Sequence, residues 1–515
     1  MSKHDLNTFI EDLQKASELK TISTEVSPYL EISEITDRIS KSDSNTNKAL
    51  LFTNVKGYDI PVLINAFGSH KRINMALGVE SLDDIGDRIR ALLKPKVPEN
   101  FMDKLALLPT LMEVAKFPPK LVTNNAKCQQ IVLNDPNQPM LDKLPIITCW
   151  PFDGGPYITL GVVITKDPKN KIRNLGVYRL QYINNNTLAM HWHKHHDGAR
   201  HFEKQRDLVS SSSKASQAII EPPNYGTYFD NQKFANQDVK LEVAVVIGAD
   251  PAITYAATAP LPPDIDEFLL AGFLRTQPVE LVKCKTIDME VPASAQIVIE
   301  GYVNQNDLIE EGPFGDHTGF YSLAGLFPKF NVNCVTMQNN PIYQTTIVGK
   351  PPQEDCYLGK ATERIFLPMV QLLVSEIIDM NLPWEGVFHN CVIVSIKKRY
   401  PGHAKKVMNA IWGLGQLMFT KYVIVVDHDI NVHDLSQVAL VVFGNTCPKR
   451  DTLFSEGPLD ILDHASTYMG YGSKMGIDAT VKWQAEGFNR NWPKPIEMPD
   501  DIKNMVSAKW SQYGF

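Results

Sequence analysis

The chain has 515 residues, 43% of them hydrophobic and 21% charged, with a net charge of −7; that length fits about three domains with well-filled cores. The two signs of charge are mixed, no basic block stands out and no apolar run approaches a membrane span, which weighs against nucleic-acid binding and a transmembrane helix. Seven scattered cysteines without a CxxC pair predict neither a disulfide framework nor a zinc ribbon, and place the chain in a reducing compartment.

The N-terminus, MSKHDLNTFIEDLQKASELK, lacks the apolar core of a signal peptide. It reads as an amphipathic helix with Leu6, Phe9, Ile10 and Leu13 on one face. KALLF (48–52) and IPVLINAF (60–67) flank a Lys56-Gly57 turn and predict a hairpin. Residues 81–116 carry a helical pattern that Pro118-Pro119 stops. Three strands are expected next: YITLGVVIT (157–165), NLGVYRLQYI (174–183) and LAMHWHKH (188–195). Ser210 to Ser213 open a polar excursion reaching about residue 235, after which 239–252, ELVKC and 290–303 again read as strands. The pattern changes near GKPPQED (349–355). Beyond it, CVIVSIKK (391–398), KKVMNAIWGLGQLM (405–418) and KYVIVVDHD (421–429) read as strand, helix, strand, hence a right-handed parallel crossover. A terminal helix after Pro499 carries Met505, Trp510 and Tyr513, expected to pack on another element or subunit.

No GxxxxGK[ST], strand-borne GxGxxG, HExxH or GxSxG motif occurs, so several common enzyme classes lose ground. The polar residues that remain are concentrated in the middle. In HWHKHHD (191–197), His191, His193 and His195 alternate and on a strand would share one face; imidazoles bind divalent metals, and a solvated sheet edge fits the pattern equally. Asn174 and Arg179 lie five apart, on opposite faces of a regular strand unless a bulge at Gly176 intervenes. Arg179 offers a planar fork for a carboxylate or phosphate. EGPFGDHTG (311–319) cannot be helical because of Pro313, Gly312 and Gly315. It is either a tight functional loop bearing Glu311 and Asp316 or a plain surface turn. Asn and Glu oxygens with a His nitrogen would accept Mg²⁺ or Mn²⁺ together with phosphate oxygens of a cofactor.

NLGVYR (174–179), EGPFGDHTG, GHAKKVMNAIWG (402–413), FTKYVIVVD (419–427) and GSKMGIDATVKW (472–483) together resemble the UbiD-type decarboxylases, above all the branch acting on 4-hydroxy-3-polyprenylbenzoate in ubiquinone synthesis. The resemblance spans nearly the whole chain. It implies an α/β (α+β) fold. A mixed-sheet flavin-binding domain of split-barrel type (121–340) would follow an N-terminal α/β region (1–120) and precede a C-terminal α/β oligomerisation domain (350–498) and helix (499–515). It further implies prenylated FMN supplied by a flavin prenyltransferase, Mn²⁺ or Mg²⁺, and a potassium ion nearby. By position, the metal ligands are Asn174, His195 and Glu267. Val177, Tyr178, Arg179, His191, Trp192, His193, His196, Asp197 and Lys421 would hold the cofactor, and Glu311, Asp316 and Arg179 would act on an aromatic carboxylic acid. Two close carboxylates would hold a proton on one of them while Arg179 pulls the other way, which leaves open which acid keeps it; the resemblance favours Asp316 as the proton donor. Fungal ferulate-type relatives carry Glu at that position. A cytoplasmic homodimer or homohexamer is expected, peripheral to the inner membrane through a prenylated substrate. Gallate, protocatechuate and a menaquinone-pathway naphthoate are the alternative substrates, and an FMN oxidoreductase is the alternative activity.

Overall fold

A computed structural model describes residues 5–93, 117–123, 126–192, 198, 200–205, 240–262 and 264–514. The predicted features at 94–116, the serine-rich excursion, and His193, His195, His196 and Asp197 lie outside the described residues.

The N-terminal helix spans Leu6–Lys15, capped by the Asp5 carboxylate, and buries Leu6, Phe9, Ile10 and Leu13. The predicted hairpin pairs Ala49–Phe52 with Val62–Ile64, antiparallel. Leu19–Ile22 joins it on one side, and on the other Tyr343–Gln344, a strand from far downstream, adds in parallel to Val62–Ile64. That late strand ties the N-terminal sheet to the exit of the central sheet.

The central sheet runs in the order Tyr157–Ile158, Leu180–Asn184, Thr187–Met190, Gly325–Met337, Ile297–Glu311, Lys240–Ile247, Val162–Lys166, Arg173–Val177, with Ile131–Leu133 added to Gly325–Met337. Arg173–Val177 and Leu180–Asn184 are joined only by Tyr178 and Arg179, yet six places separate them in that order. In a flat sheet six places would be about 29 Å. The linking residues span at most about 11 Å. The sheet must therefore curl until its two ends nearly meet, which is a split barrel. Register shifts between Glu300/Gly301 and Val303/Leu308 mark where the long central strands bend. A Cβ on Gly301 would lie 2.0 Å from the Asn331 carbonyl oxygen, so only glycine allows that crossing.

Both faces of this sheet are buried. Along Lys240–Ile247, Leu241, Val243, Val245 and Ile247 enter one core cluster, while Ala244 and Val246 enter another. This two-sided burial explains the nearly unbroken apolar run VAVVI. Each fully buried Val or Ile contributes about 1.5–3 kcal/mol.

Four sequence readings differ from the structure here. The 174–183 stretch is two strands broken at Tyr178–Arg179, since the chain crosses from one end of the curled sheet to the other. No bulge forms at Gly176, because Arg173–Val177 pairs in unbroken register with Val162–Lys166. The histidine-bearing strand stops at Met190, before His191. The 157–165 run also breaks, into Tyr157–Ile158 and Val162–Lys166, where Thr159 turns to hydrogen-bond the Thr346 carbonyl at 2.6 Å.

After residue 350, a five-stranded sheet runs Ile377–Asn381, Cys391–Ile396, Tyr422–Asp427, Tyr471–Asp478, Thr452–Pro458. Its three inner strands are parallel. The helix between the first two inner strands is His403–Trp412, shorter than predicted. Gly413 ends it and a 3₁₀ turn (Gly415–Phe419) follows, so the GLG lies past the helix. Ala404, Val407, Met408 and Ile411 pack on Val392, Val394 and Val423, while Ile393 and Val426 face the opposite side. The tail helix Asp500–Ala508 buries none of its residues, so the packing expected of it does not occur within the described chain.

Candidate active site

Arg179 stands in the two-residue bend that closes the barrel, and Glu311 is the last residue of the long Ile297–Glu311 strand. Beyond Glu311 the chain turns at Gly312, whose φ of +94° only glycine adopts readily. A short hairpin follows, with Phe314 opposite Ser322 and Gly315 opposite Tyr321. Its tip closes where the Gly319 N–H donates to the Asp316 carbonyl at 2.9 Å. The loop therefore folds back on itself and presents Glu311, Asp316 and Ser322 to one point.

Arg179 fills that point. Nε donates to Glu311 Oε1 at 2.8 Å, Nη2 to Glu311 Oε2 at 3.3 Å and to Ser322 Oγ at 2.8 Å, and Nη1 to Asp316 Oδ2 at 2.6 Å. Four of the guanidinium's five N–H groups are thereby engaged. Its plane lies over the Phe314 ring at 4.7 Å. Glu311 is fully buried and Asp316 is 6% exposed.

Around this core, His191 Nδ1 lies 2.7 Å from Glu311 Oε2, and its ring stacks on Phe327 at 4.2 Å. Burial and the Arg179 charge hold His191 below the ordinary imidazole range, so it is neutral at pH 7. An ionised Glu311 can only accept, which puts the hydrogen on His191 Nδ1. Burial alone would raise the Glu311 pKa. The His191 hydrogen bond and the Arg179 charge outweigh it and bring the carboxyl down to about 2. At Asp316, burial is again overcome, here by His317 and Arg179, and the pKa falls well below the usual carboxylate range. The expectation that mutual repulsion keeps a proton on one acid is not met: Arg179 and the His191 hydrogen bond at Glu311, and His317 and Arg179 at Asp316, lower both pKa values.

Two further groups, missed in the sequence, mount this loop. Asp153 Oδ1 accepts the Gly315 N–H at 2.8 Å and its Oδ2 the Trp150 N–H at 2.8 Å. Burial, only partly offset by these N–H groups, lifts Asp153 to about 6. The Gln181 side chain accepts the Gly312 N–H at 2.9 Å and donates to the Gly154 carbonyl at 2.8 Å. A glutamine between Leu180 and Tyr182 in an apolar strand was the one readable hint.

Val177, Tyr178, Arg179, His191 and Trp192 gather at the bend. The His191 N–H donates to the Arg179 carbonyl at 3.3 Å, and the Tyr178 ring meets Trp192 edge-on at 6.5 Å. A Cβ on Gly176 would stand 2.3 Å from the Tyr178 hydroxyl oxygen, so that ring folds back over the glycine. Asn174 is 7% exposed, its Nδ2 buried without a hydrogen-bond partner. The adjacent Leu175 N–H donates to buried Glu267 at 2.7 Å. The Asn174 amide oxygen and the Glu267 carboxylate are oxygen donors of the kind a hard divalent cation takes. Among the described residues no group of three His, Cys, Asp or Glu forms a metal centre unaided. Lys421 lies outside the bend, paired with Asp463 at 2.8 Å; His464, the neighbour of Asp463, contacts Phe320 of the acid loop at 4.1 Å.

A buried guanidinium gripped by two carboxylates, where the ends of the curled sheet approach, places an anion-binding fork and two acids at one point. Family models for the 3-octaprenyl-4-hydroxybenzoate carboxy-lyase match the chain in three parts: the N-terminal domain over residues 10–89, the Rift-related domain over 120–351 and the C-terminal domain over 356–479. The chain belongs to the UbiD family, and is a carboxy-lyase with the mixed α/β architecture of that family. An uncharacterized protein of Aquifex aeolicus is 48% identical over 511 residues, 99% of this chain and 98% of that one. The UbiD-class enzyme HmfF from Pelotomaculum thermopropionicum, solved in complex with FMN, matches at 28% identity and TM-score 0.77, over 97% of this chain and 98% of that one. Vanillic acid decarboxylase of Sedimentibacter hydroxybenzoicus, in closed form, matches at 25% identity and TM-score 0.82, over 100% and 99%.

Proposed function

We propose that this carboxy-lyase decarboxylates an aromatic acid without net oxidation, using prenylated FMN together with Mn²⁺ or Mg²⁺, and that its substrate is 4-hydroxy-3-polyprenylbenzoate, released as 2-polyprenylphenol. The observation that carries this reading is the Arg179 fork between Glu311 and Asp316. The family and the FMN-bound neighbour support the cofactor. Val177, Tyr178, Arg179, His191 and Trp192 would hold the flavin, and Asn174 and Glu267, with His195, the ion. When bound, the prenylated flavin supplies an electrophilic carbon and an electron sink for the departing CO₂.

The protein's own groups do the rest. Arg179 turns part of its fork to the substrate carboxylate and fixes it. Glu311, held by His191, keeps the guanidinium oriented. Asp316 delivers the proton that replaces CO₂. Around the acid loop, Phe152, Phe320, Tyr321, Leu323 and Leu326 are exposed. An apolar rim of this kind suits a long prenyl chain, and supports the prenylated substrate over a bare hydroxyarenecarboxylate. We further propose a homodimer or homohexamer, since Leu440 and Phe443 on the helix Leu435–Asn445 and Trp510 beyond the tail helix are also exposed.

Co-expression with a flavin prenyltransferase, followed by a CO₂-release assay, tests this reading. Release is expected from 3-prenylated 4-hydroxybenzoate, with kcat/KM above that for vanillate or unprenylated 4-hydroxybenzoate. Preference for vanillate, in line with the similarity to vanillic acid decarboxylase, would displace the prenylated substrate. No release from any aromatic acid would remove the activity altogether.

A further inference from the structure

Asp316 is held at both oxygens. Oδ2 receives Arg179 Nη1 at 2.6 Å, and Oδ1 lies 3.0 Å from His317 Nδ1 and also accepts the His317 backbone N–H at 2.8 Å. An acid clamped in this way has no proton of its own to give. Arg179 cannot supply one, because a guanidinium does not release its proton in proteins. Among the described residues bonded to Asp316, His317 is the group that can. We propose, resting on the decarboxylase reading above, that Asp316 and His317 act as one acid: the imidazolium of His317 stores the proton that Asp316 passes to the ring carbon, making His317 a positioning and proton-storing residue.

The balance is simple. The resting pair carries one proton, on His317. Substrate carboxylate drawing on Arg179 weakens one of the two cations that keep Asp316 ionised. The pair's proton then shifts from His317 Nδ1 to Asp316 Oδ1, leaving a neutral imidazole and a neutral acid. Asp316 gives that proton to the carbon from which CO₂ departs, and His317 is reprotonated from solvent. One proton is consumed for each carboxylate converted to CO₂ and arene. Two strongly coupled groups titrate as a pair, so the relevant acid strength is that of the pair.

The surroundings of His317 are those of a group kept charged. From its own loop it faces Asp316, with Arg179 beyond. From the start of the helix Glu354–Leu373 it faces Asp355, and from the turn after Thr452–Pro458 it faces Asp460. The His389 ring stands 5.5 Å away and the Phe388 ring 5.3 Å, both from the segment before Cys391–Ile396, and Lys350 packs against Gly319 at the loop tip. His317 Nε2 is buried without a hydrogen-bond partner, as is Asp355 Oδ2. Burial disfavours the imidazolium, but Asp316 first, then Asp355 and Asp460, override it and raise the pKa to about 9. His389 is driven the other way, by burial foremost, with Asp460 opposing. Three acids from three separate segments keep His317 charged at neutral pH, while burial keeps His389 neutral.

The test uses the full-length holoenzyme with ¹³Cε1-labelled histidine. The imidazole resonance missing from His317→Gln should titrate near pH 9 in the wild type, and at least one pH unit lower in both Asp316→Asn and Asp355→Asn. In His317→Gln, kcat should fall about 100-fold at pH 7.5, and the alkaline limb of kcat should move down by two pH units or more. If His317→Gln does not fold, Asp355→Asn carries the kinetic arm, with a smaller shift of the limb in the same direction. Titration of His317 at or below 6.5 in an active wild type, or an unchanged limb in the variants, would overturn the proposal. Absence of CO₂ release by the wild type sinks the decarboxylase reading itself, and the NMR titration distinguishes that failure from this one.

Discussion

Arg179 is shared by two carboxylates that are almost wholly removed from water, and its loss leaves Glu311 without a cation and Asp316 with His317 alone. Removing one partner of a buried ion pair costs about 3–5 kcal/mol. Arg179→Ala should lose that much stability at pH 7 in urea unfolding, and its CO₂ release should fall by at least about 100-fold. Arg179→Lys keeps the charge but loses the fork, and should fall between the two in both measurements. The pH dependence follows from Glu311. Its pKa is depressed from an ordinary 4.5 to about 2, so its contribution is fully present above 4.5 and is lost as pH falls towards 2. The stability gap between wild type and Glu311→Gln should therefore be constant from pH 5 to 7 and shrink steadily below about 4.5. A gap that does not close in acid would contradict the ion-pair assignment.

The acid loop keeps its shape because glycine lets an indole approach it. A Cβ on Gly315 would lie 2.3 Å from Trp150 Cδ1, and one on Gly349 would lie 2.7 Å from Cζ2 of the same ring. Trp150 Nε1 donates to the Val348 carbonyl at 2.8 Å, so the ring cannot simply swing aside. Gly315→Ala should cost about 1–3 kcal/mol in thermal unfolding and lower kcat through the displaced Asp316. Gly444, in a helix with nothing within 4 Å of its would-be Cβ, is the contrast: Gly444→Ala should gain about 0.5–1 kcal/mol. A second close approach joins helices. Pro368 has no N–H to offer the Arg364 carbonyl one turn back. That carbonyl instead faces Gly86 of the helix Leu82–Leu93, 3.0 Å from where a Cβ would stand. The proline and the glycine make one packing feature between two helices far apart in sequence.

Several segments must be seated together for the site to exist. The curled sheet brings Arg179 to Glu311, the N-terminal sheet receives the strand leading out of the barrel, and Asp355, His389 and Asp460 close on the acid loop from beyond residue 350. A divalent ion at Asn174 and Glu267 would bind the folded chain and not the unfolded one. It would add about 2.7 kcal/mol at a hundredfold excess over its Kd. Chelation of the loaded protein should therefore lower its unfolding temperature. Asn174→Ala and Glu267→Gln should bind Mn²⁺ more weakly by calorimetry and lose the chelator effect. Equal chelator sensitivity in these variants would move the ion elsewhere. No helix among the described residues is long and apolar enough to cross a membrane.

Local order was legible because it rests on neighbours in the chain. The apolar spacing of Leu6, Phe9, Ile10 and Leu13 is a helix face in any setting. The runs VAVVI and CVIVSI are too apolar for a one-sided sheet, and Gly312-Pro313 with Gly315 excludes a helix at the acid loop. The recurring motifs were enough to point to the family. Tertiary structure alone decided where strands break and what the acids do. Arg179 meets Glu311 and Asp316 across 132 and 137 residues, a meeting that exists only once the sheet has curled and that sequence spacing cannot encode. The sign of each carboxyl's pKa shift depends on which cations arrive within hydrogen-bonding distance, so repulsion between the two acids, the one effect their spacing announced, proved the weaker.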